Sequence, residues 1–123
     1  MCFFGALRSF AQSLFCYIQL NMRIDNKVMN KTLYIGLSGE LDEHTSGYTR
    51  QALDSLMETA QMIRVVIDLS ELSFMDSTGV GVLIGRFKKL KGREIPIYIA
   101  NPSNQADRIF RLTGLYEIMP KIS

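Results

Sequence analysis

The most constraining feature of this sequence is a nearly all-apolar segment over residues 63–69, which leads through a polar stretch into an amphipathic helix. Apolar residues on both faces of a strand are typical of a parallel sheet whose two faces are covered. The helix that follows carries its apolar residues on one side and is expected to end at Gly92. This succession predicts a strand–loop–helix unit of an α/β protein.

The rest of the chain alternates between predicted strands and predicted helices. Further strands are expected at residues 22–29, 32–38, 95–100 and 116–119, and further helices at residues 45–61 and from residues 101–103 to Gly114. A turn is predicted at Asn30-Lys31, and residues 39–44 are predicted to form a loop, from which Asp42 or Thr45 caps the next helix. We therefore expect a single α/β domain with a mixed, mostly parallel sheet of four to five strands and helices packed against it.

The composition is that of an ordinary globular domain and argues against several functional classes. The 123 residues carry a formal net charge of +2, and 47% of them are hydrophobic and 21% charged. The sequence offers no basic stripe for nucleic acid. Cys2 and Cys16 are the two cysteines and His44 is the one histidine, so neither a disulfide framework nor a metal site is indicated. We expect a cytoplasmic protein without a cofactor, a metal or a nucleic-acid partner.

Residues 1–21 form an apolar N-terminal extension whose only charged residue is Arg8. Phe3 and Phe4 precede that charge, which is the reverse of the order in a signal peptide. Polar residues interrupt the segment, so a membrane-spanning helix of about 20 apolar residues is not predicted. Two interpretations stay open: a surface-docked extension outside the domain, or a translation start assigned too far upstream, with Met22 as the natural first residue. The domain itself is expected at residues 22–123.

Three glycines, Gly79, Gly81 and Gly85, follow the apolar strand in a spacing that partly matches a dinucleotide-binding motif. That motif needs its first glycine in the turn directly after the strand, whereas nine residues separate Leu69 from Gly79. The other interpretation is that small residues let the helix pack closely on the sheet. A nucleotide-binding protein or small enzyme stays as the alternative from another class, although the sequence places no histidine base within reach of Ser77.

Two adjacent hydroxyl residues, Ser77 and Thr78, stand at the predicted start of the helix beside the carboxylate of Asp76. A hydroxyl at this position is expected to be exposed, and a phosphate on it would lie at the positive end of the helix dipole. Glu40 and Asp42 follow an earlier strand, and the carboxyl ends of neighbouring parallel strands meet at one edge of a sheet. The sequence therefore predicts an acidic face with a modifiable serine, suited to a basic protein partner.

Two blocks of sequence carry a specific family resemblance: Gly39-Glu40-Leu41-Asp42 and Phe74-Met75-Asp76-Ser77-Thr78-Gly79. They resemble the STAS-domain anti-anti-sigma factors, and most of all the anti-sigma F factor antagonists of sporulation. The resemblance extends over residues 22–119, with strands and helices in the same order. The family usually has one more helix at its end that packs across the sheet, and it has no counterpart to residues 1–21.

The resemblance implies a regulator of transcription rather than an enzyme. In this family the serine after the aspartate is phosphorylated by the anti-sigma factor, itself a serine kinase, and this position corresponds to Ser77. The unphosphorylated protein binds the kinase so that the sigma factor is released, and a phosphoserine phosphatase restores that form. ATP and magnesium belong to the kinase. The residues expected to contact the partner are Glu40, Asp42, Asp76, Ser77, Thr78 and Gly79.

As the charge pattern and the interrupted N-terminal segment indicate, we expect no nucleic-acid partner and no stable membrane insertion. Within the same fold, the alternative is a STAS interaction module of another partner-switching or lipid-transport complex.

Overall fold

The computed structural model describes residues 21–122, which contain one four-stranded sheet. Its strands lie side by side in sequence order and are β1 (Met22–Met29), β2 (Thr32–Leu41), β3 (Arg64–Met75) and β4 (Ile97–Ala100). The helices are α1 (Ser46–Thr59), α2 (Ser77–Lys91) and α3 (Asn104–Thr113), followed by a short 3-10 helix at Leu115–Glu117. β1 pairs with β2 antiparallel, whereas β2, β3 and β4 are parallel. The predicted mixed, mostly parallel α/β sheet is confirmed.

β1 and β2 form a hairpin through the two residues that the sequence predicted as a turn. Asn30 and Lys31 have φ angles of 53° and 63°, the left-handed conformation that both central residues of a type I′ turn require. Such a turn matches the twist of the flanking strands and sets their register. Ile24 consequently lies opposite Leu37, and both are buried in the core.

The core gathers apolar side chains of the sheet and of all three helices. Ile35, Ile67 and Ile99 are neighbours across three strands, and each is fully buried. Leu83 of α2 and Phe110 of α3 are also fully buried and belong to the same hydrophobic cluster. Burying a side chain of this size contributes about 1.5–3 kcal/mol. This single core holds the strand ends that carry the candidate site.

β2 and β3 are both longer than the sequence predicted. β2 continues to Leu41 and β3 to Met75, beyond the expected ends at residues 38 and 69. The pairing continues because two register shifts, at Gly36/Ser38 and Gly39/Glu40, each accommodate an extra residue of β3. The predicted loop at residues 39–44 is therefore wrong for its first three residues, which belong to β2.

Gly39 lies at the second of these register shifts, next to the start of β1. Its φ angle is +113°, and a Cβ at this position would lie 2.1 Å from the backbone oxygen of Asn21, so glycine is required. The same oxygen accepts from the N–H of Glu40 at 2.7 Å. Asn21 is the one residue of the predicted N-terminal extension that the structure describes, and residues 1–20 lie outside the described residues.

The segment after Gly114 begins with a helical turn, although the sequence predicted a strand at residues 116–119. Residues 115–117 form a 3-10 helix, so the expected strand at residues 116–119 is wrong. Leu115 is buried, and the hydroxyl of Tyr116 donates to Asp107 of α3 at 2.6 Å. These contacts hold the segment in a turn, and the chain reaches β4 only at Lys121, which forms a single bridge with Ile99.

Candidate functional site at the carboxyl edge of the sheet

The ends of β2 and β3 meet at one edge of the sheet, so the two sequence motifs lie next to each other. Leu41 is the register partner of Met75, and the N–H of Asp76 donates to the carbonyl of Leu41 at 3.3 Å. The loop before α1 and the start of α2 therefore share this edge, as the parallel pairing requires. We call the surface formed by Glu40, Asp42, Phe74 and Ser77 the switch edge.

Asp76 organises the start of α2. Its Oδ1 atom accepts from the N–H groups of Thr78 and Gly79 at 2.9 and 3.2 Å. This is a helix N-cap, which satisfies amide groups that the helix leaves unpaired. Ser77 is consequently the first helical residue and is exposed, whereas Thr78 is half-buried. Of the two adjacent hydroxyl residues, Ser77 is the more accessible to a modifying enzyme.

Gly79 differs from the other residues expected to contact a partner, because it is buried. A Cβ on Gly79 would lie 2.8 Å from Cγ of Met75 and 2.9 Å from Cγ of Leu41. The glycine thus lets the first turn of α2 pack onto the ends of β2 and β3. A Cβ on Gly81 or Gly85 would meet nothing within 4 Å. Of these three glycines, close packing therefore accounts for Gly79 alone, and Gly79 packs beneath the turn that carries Ser77.

Asp42 and Glu40 play different parts in the loop before α1. Oδ1 of Asp42 accepts from the N–H groups of His44 and Thr45 at 2.9 and 3.2 Å. The Thr45 hydroxyl donates to the Glu40 carbonyl at 2.7 Å. Thr45 stands at the N-cap position of α1, but neither predicted residue caps the helix with its side chain, because both are bonded within the loop. Asp42 thus orders the loop, whereas the Glu40 side chain is exposed.

The structure adds two residues that the sequence motifs did not single out as part of the site. Phe74 lies opposite Glu40 in the register, and 39% of it is exposed. Gln105, near the start of α3, accepts from the N–H of Met75 through Oε1 at 3.1 Å. Phe74 opens the family motif, but nothing in the sequence signalled that it is exposed beside Glu40, and nothing signalled the role of Gln105. Both depend on how distant segments of the chain pack together.

The described residues show neither a metal centre nor a membrane span. Within residues 21–122, no group of three or more His, Cys, Asp or Glu side chains is placed to hold a metal ion. In the same part of the chain, no helix has both the length and the apolar character needed to cross a bilayer. The switch edge therefore presents an exposed hydroxyl, carboxylates and one aromatic ring to a partner.

Residues 20–123 match the family model of the STAS domain. The chain belongs to the STAS family. Over 103 residues it is 38% identical to the anti-sigma F factor antagonist of Paenibacillus polymyxa, a match that covers 82% of this chain and 86% of that protein. It is also 38% identical over 85 residues to the anti-sigma-B factor antagonist of Listeria monocytogenes, covering 69% of this chain and 74% of that protein.

Solved structures of similar proteins agree with this assignment. The anti-sigma factor antagonist SpoIIAA in its unphosphorylated form matches with a TM-score of 0.69 and 28% identity, covering 83% of this chain and 88% of that chain. SpoIIAA, the Bacillus cell fate determinant, also matches in its phosphorylated form, with a TM-score of 0.63, 28% identity and coverage of 83% and 91%. The predicted STAS resemblance and the STAS fold are confirmed.

Proposed function

We propose that this STAS protein is an anti-sigma factor antagonist that is switched by phosphorylation of Ser77. Unphosphorylated, it binds an anti-sigma factor serine kinase, which then releases its sigma factor, and phosphorylation ends the binding. The observation that carries the proposal is an exposed serine in the first turn of α2, at the same edge as the exposed Glu40. Relatives named as anti-sigma factor antagonists, and the match to SpoIIAA in both forms, support it.

The kinase supplies the chemistry of the transfer, and this chain supplies only the acceptor. Phosphoryl transfer depends on positioning and on cations around the phosphates, so ATP and magnesium belong to the kinase. The γ-phosphoryl group passes to Oγ of Ser77, ADP leaves, and the hydroxyl proton passes to a base of the kinase. A phosphoserine phosphatase restores the hydroxyl by hydrolysis. The chain itself is a regulator and not an enzyme.

The phosphate acts on the interface more than on the fold. It adds about −1.5 to −2 charges. The helix N-terminus attracts this charge, but the first amide groups already bond to Asp76, whose carboxylate repels it. Because these local effects oppose each other, the fold should stay intact. Across the interface, two like unit charges about 6 Å apart repel by roughly 3 kcal/mol at an effective dielectric of about 20, or about a hundredfold in affinity.

The proposed setting is a cytoplasmic partner-switching circuit that controls transcription, with the kinase and the phosphatase as protein partners. The resemblance to anti-sigma F factor antagonists favours sporulation, and the similar relatives are named for sigma F and for sigma B. Neither a nucleic acid nor a membrane takes part in this function.

The direct test is mass-mapped phosphorylation by the anti-sigma factor kinases of the host. With ATP and magnesium, the cognate kinase should phosphorylate the wild type on Ser77 and leave Ser77→Ala unlabelled. Thr78→Ala is the matched control because it removes the neighbouring, half-buried hydroxyl, and its label should still map to Ser77. Labelling of Thr78 in the Ser77→Ala variant at the wild-type rate would contradict the assignment.

A further inference from the structure

Phe74 is a large apolar side chain exposed beside the proposed phosphorylation site. It lies on β3, three residues before Ser77, and 39% of it is exposed. Other large exposed apolar residues, among them Val28, Met29 and Ile63, lie at the opposite end of the sheet. Single exposed apolar residues are common in proteins, so the exposure of Phe74 has meaning only if the fold specifically produces it.

The exposure of Phe74 is produced by a β-bulge. Ser73 is an extra residue of β3, because its two neighbours in the strand pair with consecutive residues of β2. Leu72 and Met75 are buried at 3% and 1% exposure, while Ser73 and Phe74 between them are exposed. Without the bulge, the alternation of an extended strand would place Phe74 on the same face as Leu72. The Ser73 hydroxyl donates to the carbonyl of Gly39 at 2.9 Å and so stabilises the bulge.

We infer that Phe74 is the apolar anchor of the contact with the anti-sigma factor, where it inserts into an apolar pocket rimmed by Lys or Arg side chains. This inference rests on the proposed function and specifies the chemistry of the partner's surface. Glu40 is the exposed register partner of Phe74 and supplies the carboxylate for the basic rim. Aromatic side chains that a partner fully buries carry much of the affinity of an interface, whereas rim charges mainly affect the association rate.

An anchor at this position explains how one phosphate ends the binding. Insertion of Phe74 brings Ser77, three residues further on at the first turn of α2, to the border of a contact from which water is excluded. A phosphate at that border must give up hydration without gaining a matched partner, and an unpaired charge in such a place is costly. The aromatic ring and the phosphate thus act on the same complex with opposite effects on affinity.

The test compares Phe74→Ala with Leu112→Ala, using the purified anti-sigma factor that binds the wild-type chain. Leu112 is the matched control because it is apolar, 81% exposed and near the end of α3, the helix whose start contacts β3. Phe74→Ala should raise the dissociation constant by about 30-fold or more, mainly through faster dissociation, and Leu112→Ala should change it by less than about twofold. Surface plasmon resonance gives the rates, and thermal unfolding checks the fold.

A tryptophan at position 74 provides a readout that does not depend on truncation. The chain contains no tryptophan, so Phe74→Trp introduces a single indole at the proposed anchor. The emission spectrum of the wild-type complex is subtracted as background. The fluorescence of the indole should then shift to shorter wavelength when the anti-sigma factor binds. The same variant phosphorylated on Ser77 should show no shift.

These experiments distinguish failure of the proposed role of Phe74 from failure of the proposed function on which that role rests. If Phe74→Ala binds the anti-sigma factor with wild-type affinity, or if Phe74→Ala and Leu112→Ala lose affinity equally, Phe74 is not the anchor. Binding of the wild-type chain would still uphold the proposed function in either case. If Phe74→Ala does not fold, an unshifted emission of Phe74→Trp in the complex overturns the anchor instead. If no anti-sigma factor of the host binds or phosphorylates the wild type, the proposed function fails and the anchor fails with it.

Discussion

At the residue scale, the switch edge divides side chains that hold the backbone from side chains that face outwards. Asp42 and Asp76 each use a carboxylate oxygen to accept from two backbone N–H groups of their own turns. Glu40, Phe74 and Ser77 are exposed. Residue type alone does not make this distinction, since Glu40 and Asp42 are both acidic and only two positions apart.

Glu40→Ala and Asp42→Ala should therefore act in different ways. Glu40→Ala should slow association with the anti-sigma factor and reduce its salt dependence, with unchanged thermal unfolding. Asp42→Ala should lower the free energy of unfolding by about 1 kcal/mol, because two loop N–H groups lose their acceptor. Stopped-flow association at several salt concentrations and urea denaturation measure the two effects. An association rate of Glu40→Ala equal to wild type at every salt concentration would refute its role.

Gly79→Ala and Gly81→Ala should change stability in opposite directions. The added methyl group at position 79 would come within 3 Å of Met75 and Leu41, and such overpacking costs about 1–3 kcal/mol. Gly81 lies in the same helix with open space around it, so alanine there should stabilise the helix by up to about 1 kcal/mol. Urea denaturation of both variants measures whether the free energy of unfolding rises or falls relative to the wild type. A fully stable Gly79→Ala would show that the packing at this turn is not tight.

At the element scale, the sequence predicted the kind and order of most elements, and the pairing of distant strands decided where the sheet ends. Gly114 stops α3 in the left-handed conformation, as expected from a local signal. The extensions of β2 and β3 could not be predicted, because the bulge at Ser73 arises from pairing between segments more than 30 residues apart. The expected strand at residues 116–119 failed because contacts with α3 outweigh β-propensity.

Asp107 joins α3 to the segment that follows it. Its carboxylate accepts from Nε of Arg111 at 2.7 Å, from the hydroxyl of Tyr116 at 2.6 Å and from Nζ of Lys121 at 3.2 Å. These hydrogen bonds, that of Arg111 above all, hold the pKa of Asp107 well below its ordinary value. Burial, together with the hydrogen bond to Asp107, raises the pKa of Tyr116 above its ordinary value.

The contribution of Asp107 to the stability of the fold should consequently decrease in acid. Because the pKa of Asp107 is lower in the folded chain than in the unfolded chain, its stabilisation is fully present above the ordinary aspartate pKa and is lost as the pH falls below it. Asp107→Asn should be less stable than the wild type at neutral pH, and the difference should shrink below about pH 4. Thermal unfolding of both proteins across this pH range tests the prediction. Glu117→Gln, at an exposed position, is the control. A difference that is constant with pH would contradict the assignment.

At the scale of the whole molecule, a single core carries the proposed switch, which should require no large rearrangement. The Asp76 cap and the packing of Gly79 hold the first turn of α2 in place, so we expect this turn to keep its conformation when Ser77 is phosphorylated. SpoIIAA matches this fold in both its unphosphorylated and its phosphorylated form.

The position of Ser77 at the start of α2, beside Asp76, could be predicted from sequence because the two residues are adjacent in the chain. That Ser77 is phosphorylated stays a prediction. The placement of Glu40 and Asp42 at the same edge could also be predicted, from the parallel pairing of strands. The exposure of Phe74 and the contact of Gln105 could not, because they depend on the bulge of β3 and on the packing of α3.

The central claim, that charge at position 77 governs partner affinity, is tested most directly by calorimetric titration of the anti-sigma factor with Ser77→Ala and Ser77→Asp. Ser77→Ala should bind like the unphosphorylated wild type and keep binding in the presence of ATP. Ser77→Asp should bind about ten- to a hundredfold more weakly, with a circular dichroism spectrum like that of the wild type. Equal affinities of the two folded variants would mean that charge at Ser77 is not the switch.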